Sequence, residues 1–401
     1  MAIRVMKNRA NVLAGVILLF AVLVFFWTPT KTPAPPVAWP PPPAPEDVLP
    51  EVATISRSFG DDPALPAALG DDDFREMTSK FSEPDGSFMY ENFLSNEQSY
   101  QDPIPNLTSV VTPGRVYLGV GPEQNFTYIA AIRPQMAFII DIRRQNMLEL
   151  LLYKALFAMA ANRREFVSLL FSRQQPQGLS DASTVDDIFR GYRNSLGNRQ
   201  LFESNVGRIN EGLGWLSDSD KKTVAYVYNV FFSLGPELKY SSLASGPNGP
   251  TYEQLMTLSD QGGRQWSFLA SEERFRLIKE MEARNMIVPI VGDFSGPKAI
   301  RAVARYLKDR KAVVGAFYLS NVEMYIVPAQ KWKAFCRNVS EFPMDTSSTF
   351  IRYVVGGYAR YVRREKGLYT STSLIGPMID VLTAMTTGYP PSYYDLIRAS
   401  R

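Results

Sequence analysis

Hydrophobic residues occur along the chain in two kinds of pattern, uninterrupted apolar runs and longer helical repeats. The runs have the length of buried strands and lie at 115–119, 136–142, 286–291, 312–319 and 349–355. A helical repeat from Arg144 to Ser172 follows the second run, and another helix is expected from Gly296 to about Arg310, between the third and fourth. Strands that alternate with helices in this way predict an α/β fold with a mostly parallel sheet and helices on both faces.

A long stretch between the second and third strands has no strand pattern. Residues 173–283 are mostly helical in pattern, and Ser217 is a typical N-cap before a helix that ends near Leu234. The sequence therefore predicts one α/β domain over 88–401 with a large helical insertion at about 173–283.

The N-terminal region predicts a membrane anchor. No residue from 10 to 30 is charged, and this length can span a bilayer as a helix. Three basic residues precede the run, so the positive-inside rule places residues 1–9 in the cytoplasm and the bulk of the chain outside it. The expected protein is single-pass, with an uncleaved signal anchor; a cleaved signal peptide is the alternative.

Two further segments separate this anchor from the predicted domain. Residues 31–50 are rich in proline and predict an extended stalk. Residues 51–87 are acidic and are expected to be loosely ordered, apart from a helix that starts near Phe74 and is capped by Asp71, Asp72 and Asp73.

Composition excludes several kinds of chemistry. The 401 residues include no histidine and a single cysteine. Histidine-based triads, histidine-ligated metals and an internal disulfide framework are therefore impossible. No spacing typical of a calcium loop is present either, and no metal site is expected.

Charge is distributed unevenly along the chain. Residues 1–45 carry a net charge of +4, residues 46–97 carry −10, and residues 98–401 carry +9. The positive charge of the last part is mild for its length, so we expect no nucleic acid as a partner.

The strongest chemical signal is a glycine pair after the first strand. Gly119 and Gly121 stand between a strand and a helix, where a ligand can approach the backbone and the helix N-terminus. Asp141 comes twenty residues later at the end of the second strand, a spacing that suits ribose hydroxyls. The residues expected at this edge of the sheet for cofactor binding are Gly119, Gly121, Glu123, Asp141, Asp293, Ser320 and Asn321. The alternative is a tight turn with strand-end acids that cap helices.

This layout resembles class I S-adenosylmethionine-dependent methyltransferases, which have a Rossmann-like fold. Gly119-Val120-Gly121 looks like their glycine motif, Asp141 like the acid that holds the ribose, and Asp293 like the acid beside the adenine amine. Residues 317–321 are similar to the segment beside the reacting methyl group. The resemblance implies S-adenosylmethionine as cofactor. Gln124 replaces the third glycine of the dinucleotide fingerprint, which disfavours NAD and FAD.

Three segments also resemble a group of bacterial hypothetical proteins with no assigned function. These segments are GVGPEQNFTY at 119–128, VGDFSGP at 291–297 and FYLSNVE at 317–323. That resemblance implies no activity.

Other polar residues are candidates for substrate contacts. Four lie before the first strand, where they could cover a ligand, and two amides follow the glycine pair: Ser95, Asn96, Glu97, Tyr100, Gln124 and Asn125. A helix cap with an exposed face explains the first four equally well. No catalytic base can be assigned.

The sequence thus predicts a membrane-anchored protein with a methyltransferase-like, nucleoside-binding domain. A non-catalytic extracytoplasmic binding or scaffold protein on the same frame is the alternative, because fold does not fix function. A third reading is an enzyme that uses another nucleotide or a nucleotide sugar. The expected partners are the membrane, through residues 10–30, and an unidentified small molecule or envelope component.

Overall fold

A computed structural model describes residues 64–241, 249–355, 358–359, 371–381, 392–398 and 400. The predicted cytoplasmic end at 1–9, the anchor at 10–30, the stalk at 31–50 and the first part of the acidic segment lie outside these residues. Within the described part of the chain, no helix combines the length and the apolarity needed to cross a membrane.

Six strands form one sheet. Their bounds are β1 Val116–Gly119, β2 Met136–Asp141, β3 Ile287–Val291, β4 Val314–Ser320, β5 Thr349–Val355 and β6 Ser371–Pro377. The strands lie in the order β3-β2-β1-β4-β5-β6, and all neighbours are parallel except β5 and β6. The mostly parallel α/β sheet predicted from the apolar runs is confirmed. Strands β2 and β3 lie on one side of β1, and strands β4, β5 and β6 lie on its other side. The strand order therefore reverses between the neighbours β1 and β4.

Helices connect and surround the strands. In chain order they are α1 Asp71–Lys80, α2 Ile104–Val110, α3 Gln124–Ile132, α4 Arg144–Met159, α5 Arg163–Phe171, α6 Val185–Tyr192, α7 Arg199–Gly212, α8 Asp218–Leu234, α9 Tyr252–Thr257, α10 Glu272–Ala283, α11 Ala299–Asp309, α12 Glu323–Ile326, α13 Trp332–Val339 and α14 Tyr393–Arg398. A short 3₁₀ helix at Gly235–Glu237 follows α8. The described residues between α5 and β3 contain only helices and loops, and Ser217 caps α8 as the sequence predicts.

The sheet is the centre of the main hydrophobic core, and a smaller apolar cluster lies at β5 and β6. Every residue of β1, β2 and β3 is buried, as expected for strands whose apolar runs are continuous. Aromatic side chains on α3, α4 and α5 pack against each other, with Phe126 and Phe157 at 5.3 Å and Phe157 and Phe166 at 4.5 Å between ring centroids. This core holds the carboxyl ends of the strands in fixed positions.

The helix predicted from Arg144 to Ser172 is two helices. The chain leaves α4 at Ala160, which is extended, and Asn162 then caps α5 by accepting a hydrogen bond from the amide of Glu165. Asparagine favours this N-cap geometry over a helix interior, so the capping bond ends one helix and starts the next.

The second half of the segment predicted to be loosely ordered is part of the fold. Helix α1 begins at Asp71, close to the predicted start, but the prediction that the three acids cap it is wrong, because the N-cap residue is Gly70 and no side chain caps the helix. The three acids lie in the first turn instead, where they suit the helix dipole. Phe74 and Met77 are buried in the main core, and Leu69 joins them. The packed chain therefore begins before residue 88.

Candidate functional site

Residues 82–100, here called the crossing segment, run along the carboxyl ends of the parallel strands β1 to β5 and reach the amino-terminal part of the antiparallel strand β6. Their contacts follow the strand order: Ser82 and Glu83 with Val291 of β3, Gly86 with Ile142 after β2, Ser95 with Glu123 after β1, Glu97 with Ser320 of β4, Asn96 with Tyr353 of β5, and Ser99 with Ser373 of β6. In open parallel sheets, ligands bind at this edge, at the point where the strand order reverses. A ligand between β1 and β4 would therefore meet the crossing segment.

The glycine turn after β1 combines one open position with one closed position. Gly121 has a φ of +77°, and a Cβ added there would have no neighbour within 4 Å. A Cβ on Gly119 would lie 1.9 Å from Oδ1 of Asn125. The backbone at Gly121 is accessible to a ligand, whereas Gly119 is glycine because its own chain packs against it.

Asn125 holds this turn in place. Its Nδ2 donates to the carbonyls of three turn residues at 2.7 to 3.0 Å, and its Oδ1 accepts from the hydroxyl of Tyr117 at 2.8 Å. These hydrogen bonds stabilise the turn, so the role of Asn125 in the described structure is structural.

Glu97 lies at the strand-order reversal. Its carboxylate accepts hydrogen bonds from Tyr318 at 2.6 Å, from Ser320 at 2.5 Å and from Gln124 at 3.2 Å. Burial raises the pKa of Glu97 to about 7, and the three hydrogen bonds oppose that rise only in part. Three predicted substrate or cofactor residues, Glu97, Gln124 and Ser320, thus meet at one point.

Glu123 is the neighbour of this group at the start of α3. It is fully buried, and its Oε1 accepts the amide of Ser95 at 3.2 Å, while its Oε2 has no hydrogen-bond partner. Burial raises the pKa of Glu123 to about 8, and the charge of Glu97 adds to the effect. An orphaned carboxylate oxygen in this position is a ready acceptor for a ligand.

Asp141 is placed at the end of β2 as the sequence predicts, but an arginine from the same chain holds it. Its two oxygens accept Nε and Nη2 of Arg143 at 3.0 and 2.9 Å, and Oδ1 also accepts the Arg143 amide. Arg143 further donates to the carbonyl of Glu91 in the crossing segment. Asp141 can meet a ribose only if this guanidinium moves or shares the carboxylate.

Asp293 is also engaged within the chain. It accepts Nζ of Lys331 at 2.8 Å and both the amide and the hydroxyl of Ser295. Burial opposes ionisation, but these hydrogen bonds outweigh it and lower the pKa of Asp293. Its backbone amide is bound by Glu83, whose carboxylate also accepts the amides of Lys298 and Ala299 at 2.8 Å.

The remaining predicted site residues lie near the reversal without converging on it. The carbonyl of Asn321 accepts an amide that opens α12, and the carbonyl of Asn96 faces the hydroxyl of Tyr353 at 3.5 Å. Tyr100 is buried and donates to the carbonyl of Leu255. Over the described ranges, no group of three or more acidic or cysteine side chains is placed to hold a metal ion.

Comparison with known protein families gives a match over most of the domain. A family model described as Domain of unknown function (DUF7790) matches residues 93–228 and 250–374. The chain belongs to the DUF7790 family. The matched ranges contain β1 to β5, part of β6, the glycine turn and the second part of the crossing segment. A search of curated proteins finds no match.

One buried group in this DUF7790 chain was not anticipated from the sequence. Glu149 lies in α4, is fully buried, and has no hydrogen-bond partner on either carboxylate oxygen. Burial raises its pKa well above the ordinary value, and the charge of Glu123 adds to this. A signal was present, because Glu149 interrupts the apolar run from Met147 to Leu152.

Proposed function

We propose that this DUF7790 chain carries a Rossmann-like, methyltransferase-like domain that binds a nucleoside ligand, with S-adenosylmethionine as the first candidate. The observation that carries the proposal is the open turn at Gly121, which lies beside the reversal between β1 and β4. A strand order of 3-2-1-4-5-6 with a glycine-containing first turn is typical of nucleotide-binding α/β folds.

The connections support helices on both faces of this frame. The chain moves from β1 to β3 in one direction and from β3 to β4 in the other. Because parallel crossovers are right-handed, α3 and α4 are assigned to one face of the sheet and α11 to the other.

Some residues at the carboxyl ends of the strands suit a nucleoside ligand as they stand, and one does so only after a rearrangement. The open backbone at Gly121 and the orphaned oxygen of Glu123 suit a ligand. Asp141 suits a ribose diol only when Arg143 releases it. In a transfer reaction, S-adenosylmethionine would supply the electrophile, and the chain would contribute alignment of the acceptor and exclusion of water.

Calorimetric titration of S-adenosylhomocysteine into the full-length protein in detergent tests the proposal. We expect saturable binding that Asp141→Ala weakens strongly and that Asp345→Ala leaves unchanged. Asp345 is a matched control, because it forms an aspartate–arginine pair with Arg115, which precedes β1 at the opposite edge of the sheet. Absence of binding of both S-adenosylhomocysteine and S-adenosylmethionine to folded protein would exclude S-adenosylmethionine as cofactor, and titration with a nucleotide sugar would then test the third reading.

A specific observation favours a non-catalytic binding or scaffold role as the second candidate. Both acids that would contact the nucleoside already have cationic partners within the chain, Arg143 for Asp141 and Lys331 for Asp293. Under this alternative, Asp141→Ala lowers the stability of the protein and changes no ligand affinity.

The location proposed for the domain is extracytoplasmic, with residues 10–30 as a single membrane anchor. The support is the uncharged run and the basic residues that precede it. Alkaline phosphatase fused after Arg401 should be active in cells. Activity only of a cytoplasmic reporter at the same position would reverse the orientation.

A further inference from the structure

Three buried carboxyl groups influence one another, Glu97 acting on Glu123 and Glu123 on Glu149, and none has an ion-pair partner among the described residues. Glu97 accepts only from neutral tyrosine, serine and glutamine side chains, Glu123 accepts one backbone amide, and Glu149 accepts nothing. The ion pairs of the described residues include none of the three. The charge of Arg143 acts on Glu149, but its guanidinium is committed to Asp141.

The surroundings of these groups offer little positive charge. The titratable groups of the described residues that interact with one or more of the three, besides each other, are Tyr100, Tyr117, Tyr128, Asp141, Arg143, Tyr153, Tyr252, Tyr318, Tyr353 and Tyr393. A buried carboxylate without a counter-charge is costly, so each group must hold a proton or meet a cation. Burial raises the pKa of Glu97 and of Glu123 to about 7 and about 8, so near neutral pH both are poised to release a proton.

We propose that the reversal between β1 and β4 is a binding site for a positively charged organic group, an ammonium or sulfonium, that Glu97 and Glu123 neutralise in place of protons. The site is built from the crossing segment, which supplies Glu97, and from the start of α3, which supplies the orphaned oxygen of Glu123. The described residues offer no metal-binding cluster, which favours an organic cation.

This inference rests on the proposed nucleoside-binding function and specifies that the ligand carries a positive charge. S-adenosylmethionine carries a sulfonium, whereas S-adenosylhomocysteine carries a neutral thioether at the same position. The two compounds differ only in the methyl group that gives the sulfur its charge, so a preference that Glu97→Gln removes reports on that charge. Because a sulfonium has no N–H or O–H to donate, its preference comes from charge attraction to the buried carboxylates, and about tenfold in affinity is expected.

Calorimetry on the full-length protein with both compounds is the test. We expect S-adenosylmethionine to bind about tenfold more tightly, with proton release that makes the binding enthalpy depend on the ionisation enthalpy of the buffer. Glu97→Gln should reduce both the preference and the proton release. Glu282→Gln is the matched control, because Glu282 is also buried with a pKa raised to about 7, but Lys154 neutralises it.

The outcomes separate this inference from the function on which it rests. Equal affinities of the unmodified protein for the two compounds would overturn the inference and leave nucleoside binding in place. Binding of neither compound would overturn both. The comparison needs no variant, so a Glu97→Gln protein that fails to fold does not affect the result.

Discussion

Arg143 donates two parallel hydrogen bonds to Asp141, from Nε at 3.0 Å and from Nη2 at 2.9 Å, across only one intervening residue. Both side chains are almost fully buried, with 7% and 6% of their surfaces exposed. Arg143 also reaches the crossing segment through the carbonyl of Glu91. The pair therefore ties the carboxyl end of β2 to residues 82–100 and decides whether Asp141 is available to a ligand.

Replacing Arg143 with alanine should destabilise the protein. The change leaves the carboxylate of Asp141 buried without its partner, which costs about 3–5 kcal/mol in the free energy of unfolding. Urea denaturation followed by circular dichroism measures the change. Arg199→Ala is the control, because Arg199 and its partner Glu203 are both exposed and their pair should contribute about 1 kcal/mol or less. Equal losses in the two variants would contradict the structural role given to Arg143.

Replacing Glu149 with methionine should stabilise the protein. The substitution keeps the side chain at similar volume and removes two buried oxygens that lack partners, for a gain of about 1–3 kcal/mol. Thermal and urea unfolding check the sign. Glu280→Met on α10 is the control, since Glu280 is exposed and its loss should change stability by at most about 0.5 kcal/mol. A loss of stability in Glu149→Met would indicate a partner that Glu149 requires.

Stability should fall as the pH rises from about 5 to about 8. The folded protein keeps protons on Glu97 and Glu123, whose pKa values are raised from 4.5 to about 7 and about 8, while the unfolded chain releases them near 4.5. The native state therefore binds more protons in this window, and each group lowers the free energy of unfolding by at most about 1.4 kcal/mol per pH unit.

Urea unfolding of the unmodified protein and of Glu97→Gln across this pH range measures the effect. The variant should show a flatter dependence, because one of the groups that titrate has been removed. Glu282→Gln is unsuitable as a silent control here, since the pKa of Glu282 is raised as well. Parallel slopes for Glu97→Gln and the unmodified protein would contradict the assignment.

The two glycines of the turn should respond differently to alanine. At Gly121 the cost is that of a left-handed φ alone, about 1–2 kcal/mol, because the added Cβ meets nothing. At Gly119 the Cβ collides with Oδ1 of Asn125, which must shift and lose bonds that hold the turn, so a larger loss is expected. Unfolding measurements on both variants check this order, and the reverse order would mean that Asn125 moves freely.

Local patterns were sufficient to predict most of the framework. The apolar runs correspond to β1 to β5 within a residue or two, and Ser217 marks the start of α8. Strand runs and caps depend on neighbouring residues along the chain, so they are visible in the sequence. The division between α4 and α5 was missed, because the repeat of apolar residues continues across Ala160 and Asn162 while the backbone does not.

Short-range pattern along the chain was enough to predict the parallel strands, the glycine turn and the residue types at the carboxyl ends of the strands. The presence or absence of a counter-charge at each acid could be read only from the folded chain. Asp141 and Asp293 are paired, whereas Glu97, Glu123 and Glu149 are buried without cations among the described residues. The pKa of a carboxyl group depends on burial and on charges near it in space, and residues distant along the chain supply both.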